Sequence, residues 1–265
     1  MTAGEHAVLI HLDEAQRADL FEYLLRLGDD RLVLGHRVSE WCGHAPILEE
    51  DIALSNIALD LIGQANLWLQ LAGQVEAKGR DQDALAYFRE AIDFRNVLLV
   101  ETPNGDFGDT MVRQFFYSMQ AMLVLEQLQR SAHTSLAGIA AKAYKESRYH
   151  VRHSGEWIIR LGDGTDESHQ RVQRSVNDTW RFTGELFEAD DVDRRLAAQG
   201  IAVDPSVVRD AWHAQMSEVL ATATLTVPNA GFSRRGGRAG KHSEHLGHLL
   251  AEMQIVARSH PGATW

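Results

Sequence analysis

Apolar residues along the chain recur at alternating steps of three and four, and few runs alternate strictly between apolar and polar, which is the pattern of amphipathic helices. One series is Leu20, Leu24, Leu27, Arg31, Leu34, Val38, Trp41, with Arg31 as its polar exception. A second is Leu54, Ile57, Leu61, Gln64, Trp68, Leu71, broken only by Gln64. A third, Met111, Phe115, Ser118, Met122, Leu125, contains no carboxylate. The fourth, Leu136, Ala140, Ala143, Ser147, His150, Ser154, Trp157, Leu161, is interrupted by Ser147 and His150. Five prolines in 265 residues leave long stretches free to be helical, so the chain is predicted to be all-α.

Start and stop signals set the boundaries. A first helix is predicted over about 13–43, ended in "EWCGHAP" by Gly43 near the C-cap and Pro46 beyond it. A second is predicted over about 48–77, with Glu49, Glu50 and Asp51 at the positive end of its dipole. "GRDQDALAYFREAIDFRNVLLVE" reads as a shorter third helix and "ETPNGDFGD" as a turn-rich break. A fourth helix spans about 110–130 and a fifth about 134–161, closed by "GDGTDES". Further helices are predicted over about 168–187, from Asp204 as N-cap with Pro205 at the first helical position, and over about 244–258. Between the last two, "PNAGFSRRGGRAGKHS" (228–243) is expected to form an irregular, glycine-rich basic arm. No repeat of fixed period and no low-complexity linker interrupts the chain, so a single domain over 1–265 is expected, built as an antiparallel bundle.

Composition narrows the function classes. A net charge of -11 disfavours broad contact with nucleic acid or an anionic membrane, because both require a cationic face. The single cysteine, Cys42, forms no internal disulfide, and the N-terminal sequence lacks a leader pattern. No run of eighteen apolar residues occurs. A soluble protein of a reducing cytoplasm is therefore expected.

The inner seams are where bundles of this kind hold cofactors. A di-iron bundle takes a glutamate from each of two helices and a Glu-x-x-His pair from each of the other two, because two hard cations need anionic oxygens and imidazoles facing inward. Here the corresponding positions read Leu61 and Gln64, then Ser147 and His150, and of the residue types such a site needs only His150 survives. Arg31, directed inward, would add a permanent positive charge and require an acidic neighbour; Asp60 and Glu146, each one position off its seam, are the candidates. His150 itself reads as a hydrogen-bonded core histidine rather than a ligand. Glu40, Cys42 and His44 read as the end of a helix rather than a metal site. Glu244, His248 and Glu252 form a solvated face, and Lys142 and Lys145 ordinary surface charge. Arg234, Arg235, Arg238 and Lys241 lie among glycines and suit either a phosphate or an acidic partner, without the context of a P-loop.

Through "EWCGHAP", "NIALDLIGQA", "ETPNGDF", "KESRYHVRHSGEWIIRLGDGT", "GIAVDP" and "EHLG", the chain resembles the C subunits of the bacterial phenylacetyl-CoA epoxidases, also called ring 1,2-phenylacetyl-CoA monooxygenases, from about residue 20 to 265. The resemblance implies a ferritin-like bundle and a place in a multicomponent enzyme of phenylacetate catabolism. That enzyme epoxidises the aromatic ring with O2 and with NADPH used through a separate reductase. It also implies that the di-iron centre belongs to a homologous catalytic A subunit, which this chain pairs with as a non-catalytic, structural subunit, together with a small B subunit and the reductase. On that view Arg31, Leu61, Gln64, Ser147 and His150 are former metal-site positions whose ligands have changed, and the chain holds no cofactor of its own. Two alternatives remain open: an autonomous di-iron oxidase using Glu40, Asp60, Glu146 and His150, and a stand-alone CoA-binding helical protein using the basic arm.

Overall fold

The computed structural model describes residues 12–229 and 231–263. The N-terminal stretch read as leader-free is largely outside the described residues, as are position 230 of the arm and positions 264–265. Helix α1 (Glu14–Ser39) starts where Asp13 accepts from the Gln16 amide at 2.8 Å while the Gln16 side chain accepts from the Asp13 amide at 2.9 Å. Two donors that a helix start leaves open are thereby satisfied. The helix ends at Ser39, short of the predicted Gly43, because "EWCGHAP" runs through successive turns. Gly43 adopts φ 80° there, and its amide donates to Asp51 Oδ2 at 2.7 Å.

Helix α2 (Leu48–Glu76) returns antiparallel to α1 and packs along its length. Two glycines one heptad apart allow the close approach. A Cβ on Gly28 would lie 2.7 Å from Leu69 Cδ2, and one on Gly35 would lie 2.9 Å from Ile62 Cγ1. Helices α5 (Phe107–Leu128) and α6 (Thr134–Gly162) form a second antiparallel hairpin, and α2 lies against α6. This is an all-α, ferritin-like bundle, with no strand among the described residues. The four sequence seams face a common core in which Leu24, Leu34, Ile57, Trp68, Phe115, Leu125 and Leu136 are buried. Each such leucine withdrawn from water contributes about 1.5–3 kcal/mol, which offsets the cost of ordering the backbone.

The predicted third helix is broken. In its place are α3 (Gln82–Tyr87), a 3₁₀ turn at Ala91–Asp93 and α4 (Leu98–Glu101). The cause is tertiary: the Arg95 amide donates to Asp29 Oδ2, the Val97 amide to Asp30 Oδ1 and the Leu98 amide to Glu185 Oε2, each at 2.8 Å. Side-chain carboxylates have replaced the carbonyls that a continuous helix would use.

The predicted helix over 168–187 is likewise divided, into α7 (Asp166–Trp180) and a 3₁₀ turn at Gly184–Phe187. An unpredicted α8 (Asp191–Ala198) follows, opened by an Asp190/Asp193 capping box. Asp204 caps as expected, accepting from the Ser206 amide at 2.8 Å, but the first turn at Pro205–Val208 is 3₁₀ before α9 (Arg209–Thr222). The last helix is α10 (Glu244–Ser259).

The arm is irregular, as expected, yet much of it is pinned to the bundle. The Gly236 and Gly237 amides both donate to Glu185 Oε1 at 2.8 Å, and Arg238 forks onto Asp30 at 2.9 and 2.8 Å. Arg238 is thus committed inside the fold and does not belong to a free contact surface.

Two predictions arise from this packing. A Cβ on Gly237 would lie 2.1 Å from the Asn96 carbonyl oxygen. Gly237→Ala is therefore expected to lower the thermal midpoint and to open the 228–243 segment to limited proteolysis, read by mass spectrometry of the fragments.

The second concerns Arg26, which holds α8 to α1 through Asp190 at 2.6 Å and Asp193 at 3.0 Å. Burial opposes the Asp190 charge, but the Arg26 guanidinium outweighs it and holds that carboxyl below its ordinary value of 3.8, whereas burial pushes Asp193 up. The stability due to Asp190 is present above pH 3.8 and lost as pH falls below it; that of Asp193 has the opposite sign. Asp190→Asn should flatten the loss of stability on acidification, measured by urea unfolding across a pH series.

Candidate functional site

Where α1, α2 and α6 meet, the seams carry polar side chains. Arg31 is 2% exposed. Its Nη1 donates to the Leu27 carbonyl at 2.9 Å, its Nε donates to Gln64 Oε1 at 2.8 Å, and its Cζ lies 5.8 Å from the centroid of the Trp68 ring. Gln64 then donates through Nε2 to Glu146 Oε2 at 2.9 Å. With a guanidinium on one side and a carboxylate on the other, only one orientation of the amide satisfies both.

The ion pair expected between Arg31 and Asp60 or Glu146 is not formed. Arg31 reaches Glu146 only through the Gln64 amide, because Glu146 sits off the seam at the groove between α2 and α6 while Gln64 lies between them. Asp60 is taken by His150, whose Nε2 lies 3.1 Å from Asp60 Oδ2. His150 is 1% exposed, and its carbonyl accepts from the Ser154 hydroxyl at 2.6 Å. Ser147 is buried in the same seam, and Leu61 brings only hydrocarbon.

A second histidine–carboxylate pair is not among the sequence candidates. His153 Nε2 lies 2.8 Å from Glu50 Oε2 across the same α2–α6 groove, and Tyr149 stacks on the His153 ring at 5.9 Å. The sequence pattern gives Glu50 only a helix-dipole role; the i, i+3 spacing of His150 and His153 was the available signal. The larger omission is Asp29 and Asp30, both buried on α1. Asp29 binds the Arg89 guanidinium, with Arg89 Nη1 donating at 3.0 Å, and Asp30 binds Arg238. The doublet in "LGDDRL", within an apolar seam, was the sign.

The remaining sequence candidates are separated from this region. Glu40 accepts from Arg37 at 2.8 Å and from Asn104 at 2.9 Å, fastening the end of α1 to the loop before α5. Cys42 and His44 are exposed, with His44 Nδ1 3.1 Å from the Cys42 carbonyl oxygen. Glu244, His248 and Glu252 lie along α10, with His248 and Glu252 exposed. Arg235 pairs with Glu188 at 3.0 Å, while Arg234 and Lys241 line a surface cleft.

Chemically, the seam relay is poor in exchangeable protons. A guanidinium and an amide neither give nor take protons near neutrality. The relay fixes three helices relative to one another through a buried charge and its hydrogen bonds.

Residues 10–265 match the family described as phenylacetic acid catabolic protein. The chain belongs to that family. It is also similar to the C subunit of 1,2-phenylacetyl-CoA epoxidase from Escherichia coli (strain K12), with 50% identity over 246 residues, which cover 93% of this chain and 99% of that protein. The family match spans all four long helices and the arm, so the seam positions described above lie inside it.

The relay makes a testable demand on the family member described here. Replacing Gln64 by Leu removes the acceptor of a buried guanidinium and the donor to Glu146, and should cost about 2–4 kcal/mol in urea unfolding. Gln64→Glu combined with Glu146→Gln keeps both an acceptor for Arg31 and a donor across the groove, and should cost less.

Proposed function

We propose that this chain is the structural subunit of a multicomponent phenylacetyl-CoA 1,2-epoxidase. In this reading it pairs with a homologous di-iron A subunit and supports that subunit's ligand-bearing helices, in the cytoplasm, during aerobic phenylacetate degradation. The small B subunit and an NADPH-linked reductase complete the assembly. Family membership and the half-identical epoxidase subunit support the setting.

The observation that carries the structural role is the Arg31–Gln64–Glu146 relay. A di-iron centre requires anionic oxygens converging from four helices, and the donors here do not fit it. A permanent cation occupies the seam, its neighbour is a neutral amide, Leu61 offers no donor, and the carboxylates of Asp60 and Glu146 are already bound to His150 and Gln64. Removing the cation alone would not supply the missing ligands.

A surface suited to a bundle partner also supports the reading. On α2, Leu48, Ile52 and Leu59 are 73%, 55% and 67% exposed and lie on one stripe, opposite the inward Leu54, Ile57 and Leu61. This second apolar face makes α2 the one helix among the described residues long and apolar enough to cross a membrane, although its inner face is built into the core. Exposed apolar stripes of this kind mark interaction surfaces, and permanent subunit interfaces are richer in apolar contact than transient ones.

The test is coexpression with the A subunit. Ile52→Asp with Leu59→Asp should abolish co-purification while leaving helical circular dichroism and the thermal midpoint of the isolated chain unchanged. Metal analysis gives an independent check: about two irons per purified chain would overturn the structural reading in favour of an autonomous oxidase.

A further inference from the structure

Away from the seam relay, α5, α7, the arm and the start of α10 enclose a cleft of about 660 Å³, within the size range of small-molecule sites. It shares no lining residue with Arg31, Gln64, Glu146 or His150. Arg113, Arg181, Arg234 and Lys241 line it, and none of these four cations forms an ion pair among the described residues.

Arg113 is the telling member. It is 1% exposed, and its two terminal nitrogens donate to neutral acceptors, the Thr102 carbonyl at 2.5 Å and Asn104 Oδ1 at 2.6 Å. Its Nε is enclosed and has no partner. Burial, and then the nearness of Arg37, push this guanidinium well below the usual arginine range. It still carries its charge at neutral pH, in a setting that an anion would relieve.

The start of α10 points to the same chemistry. Ser243 occupies the N-cap, where a serine hydroxyl ordinarily accepts from the first turn. It makes no such bond, and its Oγ is enclosed without a partner. Ser243, Glu244 and His245 all line the cleft, so the uncapped first turn of a sixteen-residue helix borders it.

Four carboxylates also border the cleft, and two are already engaged. Glu101 accepts from the Ser243 amide at 2.7 Å and lies 3.1 Å from His242 Nδ1; Asp109 accepts from the Ser175 hydroxyl and from the Asp106 amide at 2.9 Å. Asp178 and Glu244 reach solvent, where water and salt screen them.

We propose that this cleft binds the phosphate group of a small molecule, held by Arg113, Arg234, Lys241 and the first turn of α10. The volume exceeds what one phosphate fills. Phe182, with Arg181 and Arg234 at 5.1 and 5.9 Å from its ring, offers an apolar wall for an organic remainder. The site lies wholly in this chain and does not depend on the pairing with an A subunit.

Isothermal titration of the full chain at fixed ionic strength tests it, with inorganic phosphate, AMP and acetate as probes. Saturable binding of a phosphate probe in preference to acetate is expected. Tighter binding of AMP than of inorganic phosphate assigns the group to an organic phosphoester, and equal binding assigns it to free phosphate.

The double variant R234Q/K241Q should weaken phosphate binding about tenfold or more, since charge-assisted contacts are the strong ones. Its thermal midpoint in phosphate-free buffer should stay unchanged, as both side chains are exposed. R235Q, whose parent residue pairs with Glu188 outside the cleft, should bind as the parent does. No saturable binding up to about 10 mM, equal affinity for acetate, or unchanged affinity in R234Q/K241Q would overturn the proposal.

Discussion

Two adjacent carboxylates buried on α1 organise much of this molecule. Asp29 and Asp30 are 0% and 4% exposed, and a buried negative charge without partners would cost several kcal/mol. Their partners come from segments distant in sequence: Arg89 and the Arg95 amide answer Asp29, while Arg238 and the Val97 amide answer Asp30. Glu185 acts similarly for the Leu98, Gly236 and Gly237 amides. Together these acceptors break the predicted third helix and seat the arm that leads into α10. Packing alone would leave those irregular segments without hydrogen-bond acceptors.

The Arg31 relay applies the same physics to a different end. Its cation is hydrogen-bonded to an amide and a carbonyl, and the nearest linked carboxylate is one side chain further on. A charge so placed is compatible with a stable core and incompatible with two divalent cations in the same space. On the function proposed above, the bundle geometry persists while its seam supports position rather than metal chemistry, in keeping with a fold that hosts different functions through its sites.

What could be read from sequence follows from how local each cause is. The long helices and their inward seams were legible because a 3.6-residue period is repeated over many turns, and Leu20, Leu54, Met111 and Leu136 are all buried as the pattern requires. Capping by Asp204 was legible because its partner lies within three residues. The break between Phe88 and Leu98 was not, since it depends on carboxylates from α1 and on Glu185. The short α8 was missed although its Asp190/Asp193 capping box was present in sequence. In the site, the inward aim of Arg31 could be anticipated from its seam position, but the Gln64 bridge could not: which of two nearby acids receives a guanidinium depends on side-chain reach across three helices. Arg113 escaped notice because it falls one turn from Thr110 on a helix buried on nearly every side, where one stripe does not identify the core.

The arm's attachment has a consequence for biosynthesis. The partner of Asp30 emerges 208 residues later. At ribosomal rates of about 5–20 residues per second, the nascent α1–α2 hairpin waits on the order of ten seconds or more with only the Val97 amide to answer that carboxylate. With its Oδ2 still open to water over that interval, Asp30 reaches its final burial only when the arm docks. A late-made segment thus completes the charge balance of the first helix.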